Sequence, residues 1–207
     1  MDFERLLCRE VIKPEYKIRS ATSEEVLKLK SLPFLKDTDE RFQRYYMVAG
    51  GYAAWVAGRT TTYGDIDIFC SKHPESFVRQ LMYEEEYPNF TVYSRGNYQF
   101  ILWMFDRTFH TNADIFFSEI LDSFDMDVCR VGYFRRNDSL KYYCIERTSE
   151  PKRRNLWKHS VTRFKKYSKR VKVPFSLFDL ALNECLDIDT PGTVKLAKLL
   201  SFPNIVQ

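Results

Sequence analysis

Asp65 and Asp67 stand two residues apart in an otherwise apolar run with Ile66, Ile68 and Phe69. A strand over 65–70 puts both carboxylates on one face and Ile66 and Ile68 on the other. Two carboxylates this close repel each other and resist desolvation unless a cation sits between them. Upstream, the apolar residues Tyr46, Met47 and Val48 run into the pair Gly50-Gly51. Glycines at a strand-to-helix junction let a phosphate approach the backbone N–H groups. A phosphate cradle beside a paired-carboxylate magnesium site is a minimal kit for phosphoryl or nucleotidyl transfer.

The elements that must position these groups follow from the same stretch. A strand ends near Val48, a short apolar helix covers 52–57, a polar turn surrounds Gly58 and Gly64, and the acidic strand follows. A second Asp-Ile-Asp, Asp187 to Asp189, has no glycine pair before it and carries no such expectation.

In this coupled form, Ala49-Gly50-Gly51 followed by Asp65-Ile66-Asp67-Ile68, the chain resembles the DNA polymerase beta-like nucleotidyltransferase superfamily. The resemblance spans roughly residues 46–134. It implies an α+β fold with a small mixed or antiparallel sheet, helices on one side, and a short helical C-terminal part. It further implies two magnesium ions, with manganese as a substitute, held by Asp65, Asp67 and a third carboxylate on a neighbouring strand. Asp125, in the context Phe124-Asp125-Met126, fits that role first, and Asp127, two residues on, competes for it. Acids inside an apolar strand over 124–134 are costly unless paired or metal-bound. If the strand starts only after Asp127, both acids lie in a solvated turn. Gly50 and Gly51 would admit the phosphates of a nucleoside triphosphate such as ATP, and a hydroxyl acceptor would receive the nucleoside monophosphate as pyrophosphate leaves. The competing expectation is a catalytically inactive protein of this fold that binds nucleotide or nucleic acid.

Charge is unevenly spread. Ten of the 32 Lys and Arg fall in 151–173, which holds none of the 28 Asp and Glu, leaving 22 basic against 28 acidic residues elsewhere. A basic segment on an acidic body points to a polyanionic partner, nucleotide or nucleic acid. His159, Arg163, Lys166 and Arg170 form a stripe at helical spacing that either meets phosphates or is a solvated helix face. Arg59, Thr60, Thr61 and Thr62 precede the acidic strand and either reach phosphate oxygens, Arg59 and Thr62 foremost, or form a polar turn. Tyr52 and Tyr63 flank the site as candidates to stack on a base, whereas Trp55 reads as core. His73 and His110 read as surface residues.

The 207 residues divide into an N-terminal helical extension (1–46), a nucleotidyltransferase-like core (47–147) and a basic helical part (148–207). Helices are expected at 23–31, 39–45, from Pro74 and at 115–123, a hairpin at 90–105 turning at Gly96-Asn97, and a strand at 140–146. The five cysteines form no Cys-x-x-Cys pair and read as reduced core residues of an intracellular protein, cytoplasmic or nuclear. No apolar run reaches the roughly 20 residues of a membrane span.

Overall fold

A computed structural model of the chain describes residues 16–32, 45–71, 83–87, 90–103, 113–124, 126–136, 141–147, 163 and 166–173. The helices expected at 39–45 and from Pro74, the residues Asp125 and His159, and everything expected beyond 173 lie outside the described residues, as do His73 and His110.

One eight-stranded sheet organises these segments. Its strands are β1 (Tyr16–Ser20), β2 (Tyr46–Ala49), β3 (Ile66–Cys70), β4 (Tyr83–Tyr87), β5 (Phe90–Arg95), β6 (Tyr98–Trp103), β7 (Val131–Arg135) and β8 (Tyr142–Arg147), in the spatial order β1-β8-β7-β2-β3-β6-β5-β4. Every neighbouring pair is antiparallel except β3 with β6. The fold is therefore mixed α+β, with a sheet larger than the small one expected.

Among the described residues, three helices pack on this sheet, and they lie on both faces rather than on one. Helices α1 (Ser23–Lys30) and α2 (Gly50–Val56) share one core with Val48, Ile66, Ile68, Val131 and Tyr133. Helix α3 (Ala113–Asp122) buries Phe116, Phe117, Ile120 and Leu121 on Met47, Phe69, Phe134 and Ile145 of the opposite face. The alternation along β2 and β3 decides this, because Val48 and Ile68 point one way and Met47 and Phe69 the other. Each such fully buried Phe or Leu contributes roughly 1.5–3 kcal/mol, so neither face is a surplus surface.

Local sequence accounts for most boundaries. Helix α1 starts at a reciprocal cap, in which the Glu25 N–H donates to Thr22 Oγ1 (3.3 Å) and the Thr22 N–H to Glu25 Oε2 (2.7 Å). The cap is thus Thr22, one residue before the expected Ser23. Helix α2 ends where Gly58 takes φ +73° and the N–H groups of Gly58 and Arg59 return to Trp55 and Ala54. That left-handed closure favours glycine. Residues 16–32, expected as a helical extension, contribute an edge strand and a helix packed against α2. The sheet's other edge, β4, exposes Glu84, Glu85 and Glu86, and such charge protects an unpaired edge.

The expected strand over 124–134 is not formed as such. Residues Asp127–Cys129 make a 3₁₀ turn, and pairing begins only at Val131. No helix among the described residues is long and apolar enough to cross a membrane. Cys70, Cys129 and Cys144 are buried thiols that form no disulfide among the described residues, while Cys8 and Cys185 lie outside them.

Candidate active site

Strand β3 places Asp67 between Ala49 of β2 and Gln99 of β6, in register with both. Asp65 lies one residue before the strand and is exposed. The expected strand therefore starts one residue later, where the Ile66 N–H bonds Asn97 O. Both aspartates line one cavity of about 360 Å³. With them stand Gly51, Gly64 and the side chains of Arg163, Lys166 and Tyr167. The far end is apolar, formed by Phe69, Phe90, Ile101 and Phe124, with Gln99 and Ser123 as its polar members.

Electrostatics mark Asp67 as the strained member. Burial, and then the neighbouring charge of Asp65, push its carboxyl up to about 6, against the opposing pull of Arg163 and Lys166. A carboxylate held at this cost, with a second one beside it, has the hard oxygen donors that a divalent cation takes. Gly50 makes the close approach possible. It has φ +71°, and a Cβ there would come within 2.7 Å of Asp67 Oδ2, so any side chain would both strain the turn and displace the carboxylate. Asp65 and Asp67 thus fit a magnesium ion. Among the described residues no group of three His, Cys, Asp or Glu is gathered, and Asp125 lies outside them.

Asp127, the competing third carboxylate, does not line this cavity. Its Oδ1 accepts from Arg130 Nη1 at 3.0 Å, and Arg130, 3% exposed, also binds Asp122 at 2.8 Å. Arg147 joins the same Asp122 at 2.7 Å. This is a structural ion network at the end of α3. Asp127→Asn should cost about 1 kcal/mol of stability and leave magnesium-dependent ligand binding within about threefold. A hundredfold loss of binding, read by calorimetry, would return Asp127 to the metal site.

Basic residues divide into two groups. Arg163 and Lys166 face the cavity, and Lys166 Nζ would lie 3.1 Å from a Cβ on Gly64. Arg59 instead pairs with Glu146 at 3.3 Å and donates to the Asp127 carbonyl at 3.3 Å. Its own carbonyl accepts from the Lys172 N–H (2.8 Å), while the Thr61 N–H donates to the Arg170 carbonyl (2.7 Å). Thr60 and Val171 form a bridge beside them. Arg59 therefore helps fasten the basic turn to the body rather than reaching the cavity. Thr61 and Thr62 are exposed and outside the lining.

The two tyrosines expected beside the site are engaged elsewhere. Tyr52 is buried and donates to the Lys28 carbonyl at 2.8 Å. Tyr63 packs on Tyr52 and Trp55, with centroids 4.7 and 4.9 Å away, and remains 39% exposed. The cavity's aromatic wall comes from Phe69, Phe90 and Phe124, which sequence reasoning did not single out. The available signal was alternation: Asp67 and Phe69 share a face of β3. Tyr167 was also missed, although it sits four residues after Arg163 on the same basic stripe.

No match to the chain is found among family models, curated proteins or solved structures.

Proposed function

We propose that this chain is a magnesium-dependent nucleotidyltransferase that moves a nucleoside monophosphate from a nucleoside triphosphate to a hydroxyl acceptor. One observation carries the reading: Asp65 and Asp67 share a cavity with Gly51, Arg163 and Lys166, so a cation-holding pair faces an anion-holding pair. A ligand that brings both metal and polyphosphate answers both halves. The apolar end with Phe90 and Phe124 gives a planar base or a compact acceptor somewhere to pack.

In this reading Asp65 and Asp67 hold magnesium, and Asp125 completes the set. Bound magnesium offsets the charge of the carboxylates and phosphates and polarises the phosphorus under attack. Arg163 and Lys166 orient the triphosphate by charge-assisted hydrogen bonds. The acceptor oxygen bonds to the α-phosphorus, the bond to the β-phosphate oxygen breaks, pyrophosphate leaves, and the acceptor proton passes to a carboxylate or water.

Calorimetric titration of each of the four nucleoside triphosphates, with and without magnesium, tests this. At least one should bind, only with magnesium, and Asp65→Asn/Asp67→Asn should remove the binding. Failure of all four to bind ends the reading. A second reading, a catalytically inactive nucleotide binder, draws support from the ion pair that ties Asp127 to Arg130. Magnesium-dependent binding with no pyrophosphate release in the presence of nucleoside, peptide and RNA hydroxyl acceptors would favour it.

A further inference from the structure

Position 51 poses a steric puzzle whose answer is a single hydroxyl. Gly51 is not among the glycines with positive φ, so its backbone would accept any L residue. A Cβ there would nevertheless meet the Tyr167 hydroxyl at 2.5 Å, and among the described residues beyond its own helix and chain neighbours the one other atom within 4 Å is the Cζ of the same ring, at 3.7 Å. The second distance is ordinary van der Waals contact. The hydroxyl alone therefore excludes a side chain at residue 51.

Tyr167 is also held in place. It sits in the helical turn 166–168, is 7% exposed, and lines the cavity together with Arg163 and Lys166. The carbonyls and N–H groups of 170–172 lock that turn to 59–61. Its hydroxyl is hydrogen-bonded with the Cys129 thiol, a weak partner for a phenol. Packing alone would be served as well by phenylalanine, which would leave position 51 free to vary.

We propose that Tyr167 is a ligand-binding residue of this cavity, whose phenol donates to a phosphate oxygen of the metal-bound polyphosphate, and that residue 51 is glycine to admit that hydroxyl. The proposal rests on the nucleotidyltransferase reading and names a donor beyond its two cations. Burial raises the phenol's pKa, so it keeps its proton for donation at neutral pH.

Calorimetric titration of inorganic tripolyphosphate with magnesium into the full chain tests it without dependence on a base. Tyr167→Phe should weaken binding on the order of 10- to 100-fold, as expected for deleting a hydrogen bond to a charged group. Gly51→Ser/Tyr167→Phe should recover most of the loss, because the serine hydroxyl then occupies the vacated space. Gly51→Ala/Tyr167→Phe should fold, by its thermal transition, and recover nothing. Parent-like binding by Tyr167→Phe would overturn the assignment of Tyr167 alone, as would equal rescue by alanine and serine. If the parent chain binds a nucleoside triphosphate but not magnesium tripolyphosphate, the same variants titrated with that nucleotide decide the proposal; if it binds neither, both this proposal and the reading beneath it fall.

Discussion

In chelator, Asp67→Asn should unfold at a higher temperature than the parent chain, by about 1–3 kcal/mol of stability at pH 7. The Asp67 carboxyl, raised by burial and by Asp65, titrates near 6 in the fold against an ordinary 3.8. A shift of that size corresponds to a cost of about 3 kcal/mol at most when fully expressed. Below pH 4 the carboxyl is protonated in folded and unfolded chains alike, and the cost is absent. Between pH 4 and 6 the unfolded chain releases its proton first, so the parent loses stability as pH rises. Above pH 6 the whole cost is present. Asparagine has no such titration, so the gap between variant and parent should open across pH 4–6 and stay constant above it. Urea unfolding at pH 4 and pH 7 reads this directly, and an equal gap at both values would refute the electrostatic account. Added magnesium should then stabilise the parent and not the variant. Outer-shell partners of metal sites already cost roughly 10- to 100-fold in affinity when removed, so loss of a direct ligand should exceed about 100-fold. A residue that weakens the fold while empty and strengthens it when loaded is the signature of a site, not of packing.

The parts that were legible in sequence are those whose signals are local. Gly50-Gly51, the alternation through Ile66 and Ile68, and the turn at Gly96-Asn97 each act within a few residues, and strand, helix and hairpin form there. The edge strands were harder. Tyr16–Ser20 carries Lys17 and Arg19, and Tyr83–Tyr87 carries three glutamates, because an edge needs charge and so loses the apolar pattern that identifies a strand. Asp127 is hard to place for a related reason: an acid between Met126 and Val128 suits either a strand or a turn before one, and only the buried Arg130, three residues on, shows its partner in the 3₁₀ turn. Of the side chains that line the cavity, Asp65, Asp67, Arg163 and Lys166 stand out in the sequence by charge and spacing. Phe90, Phe124 and Tyr167 do not, since their place depends on the register of β5 with β6, the end of α3, and the backbone bonds from 170–172 to 59–61. Arg59 shows the converse. Its type and position suit a phosphate, but Glu146, more than 80 residues away along the chain, claims its guanidinium.

That ion pair belongs to a chain of contacts whose inner end is Glu25, and removing Glu25 should give the largest loss of stability. Glu25 is 6% exposed on α1. Its Oε1 accepts from Tyr133 Oη of β7 and from Arg19 Nη2 of β1, both at 2.7 Å, and its Oε2 from the Thr22 N–H and Arg19 Nη1. Arg19 continues to Glu146 (3.7 Å), which meets Arg59. Burial pushes the Glu25 carboxyl up, but the bonds from Arg19, Thr22 and Tyr133 outweigh it and hold the group at about 2. Because the folded value lies below the ordinary 4.5, its stabilisation is complete above pH 4.5 and disappears as pH falls towards 2. Glu25→Ala should cost about 3–5 kcal/mol at pH 7, since it strands a buried phenol, leaves the partly buried Arg19 with only the longer contact to Glu146, and removes the side-chain half of the reciprocal helix cap. Glu25→Gln keeps the shape without the charge. It should cost less, about 1–3 kcal/mol with Arg19 partly solvated, and should flatten the acid limb of the stability curve between pH 4.5 and 2. Denaturant midpoints across that range decide the matter, and an acid limb as steep in Glu25→Gln as in the parent would assign acid sensitivity to other carboxylates. Glu25 also links through Arg19 and Glu146 to Arg59, whose carbonyl anchors Lys172. The Ala variant should therefore loosen the turn bearing Lys166 and Tyr167 before the sheet melts, seen as faster amide exchange at Thr61 and Lys172.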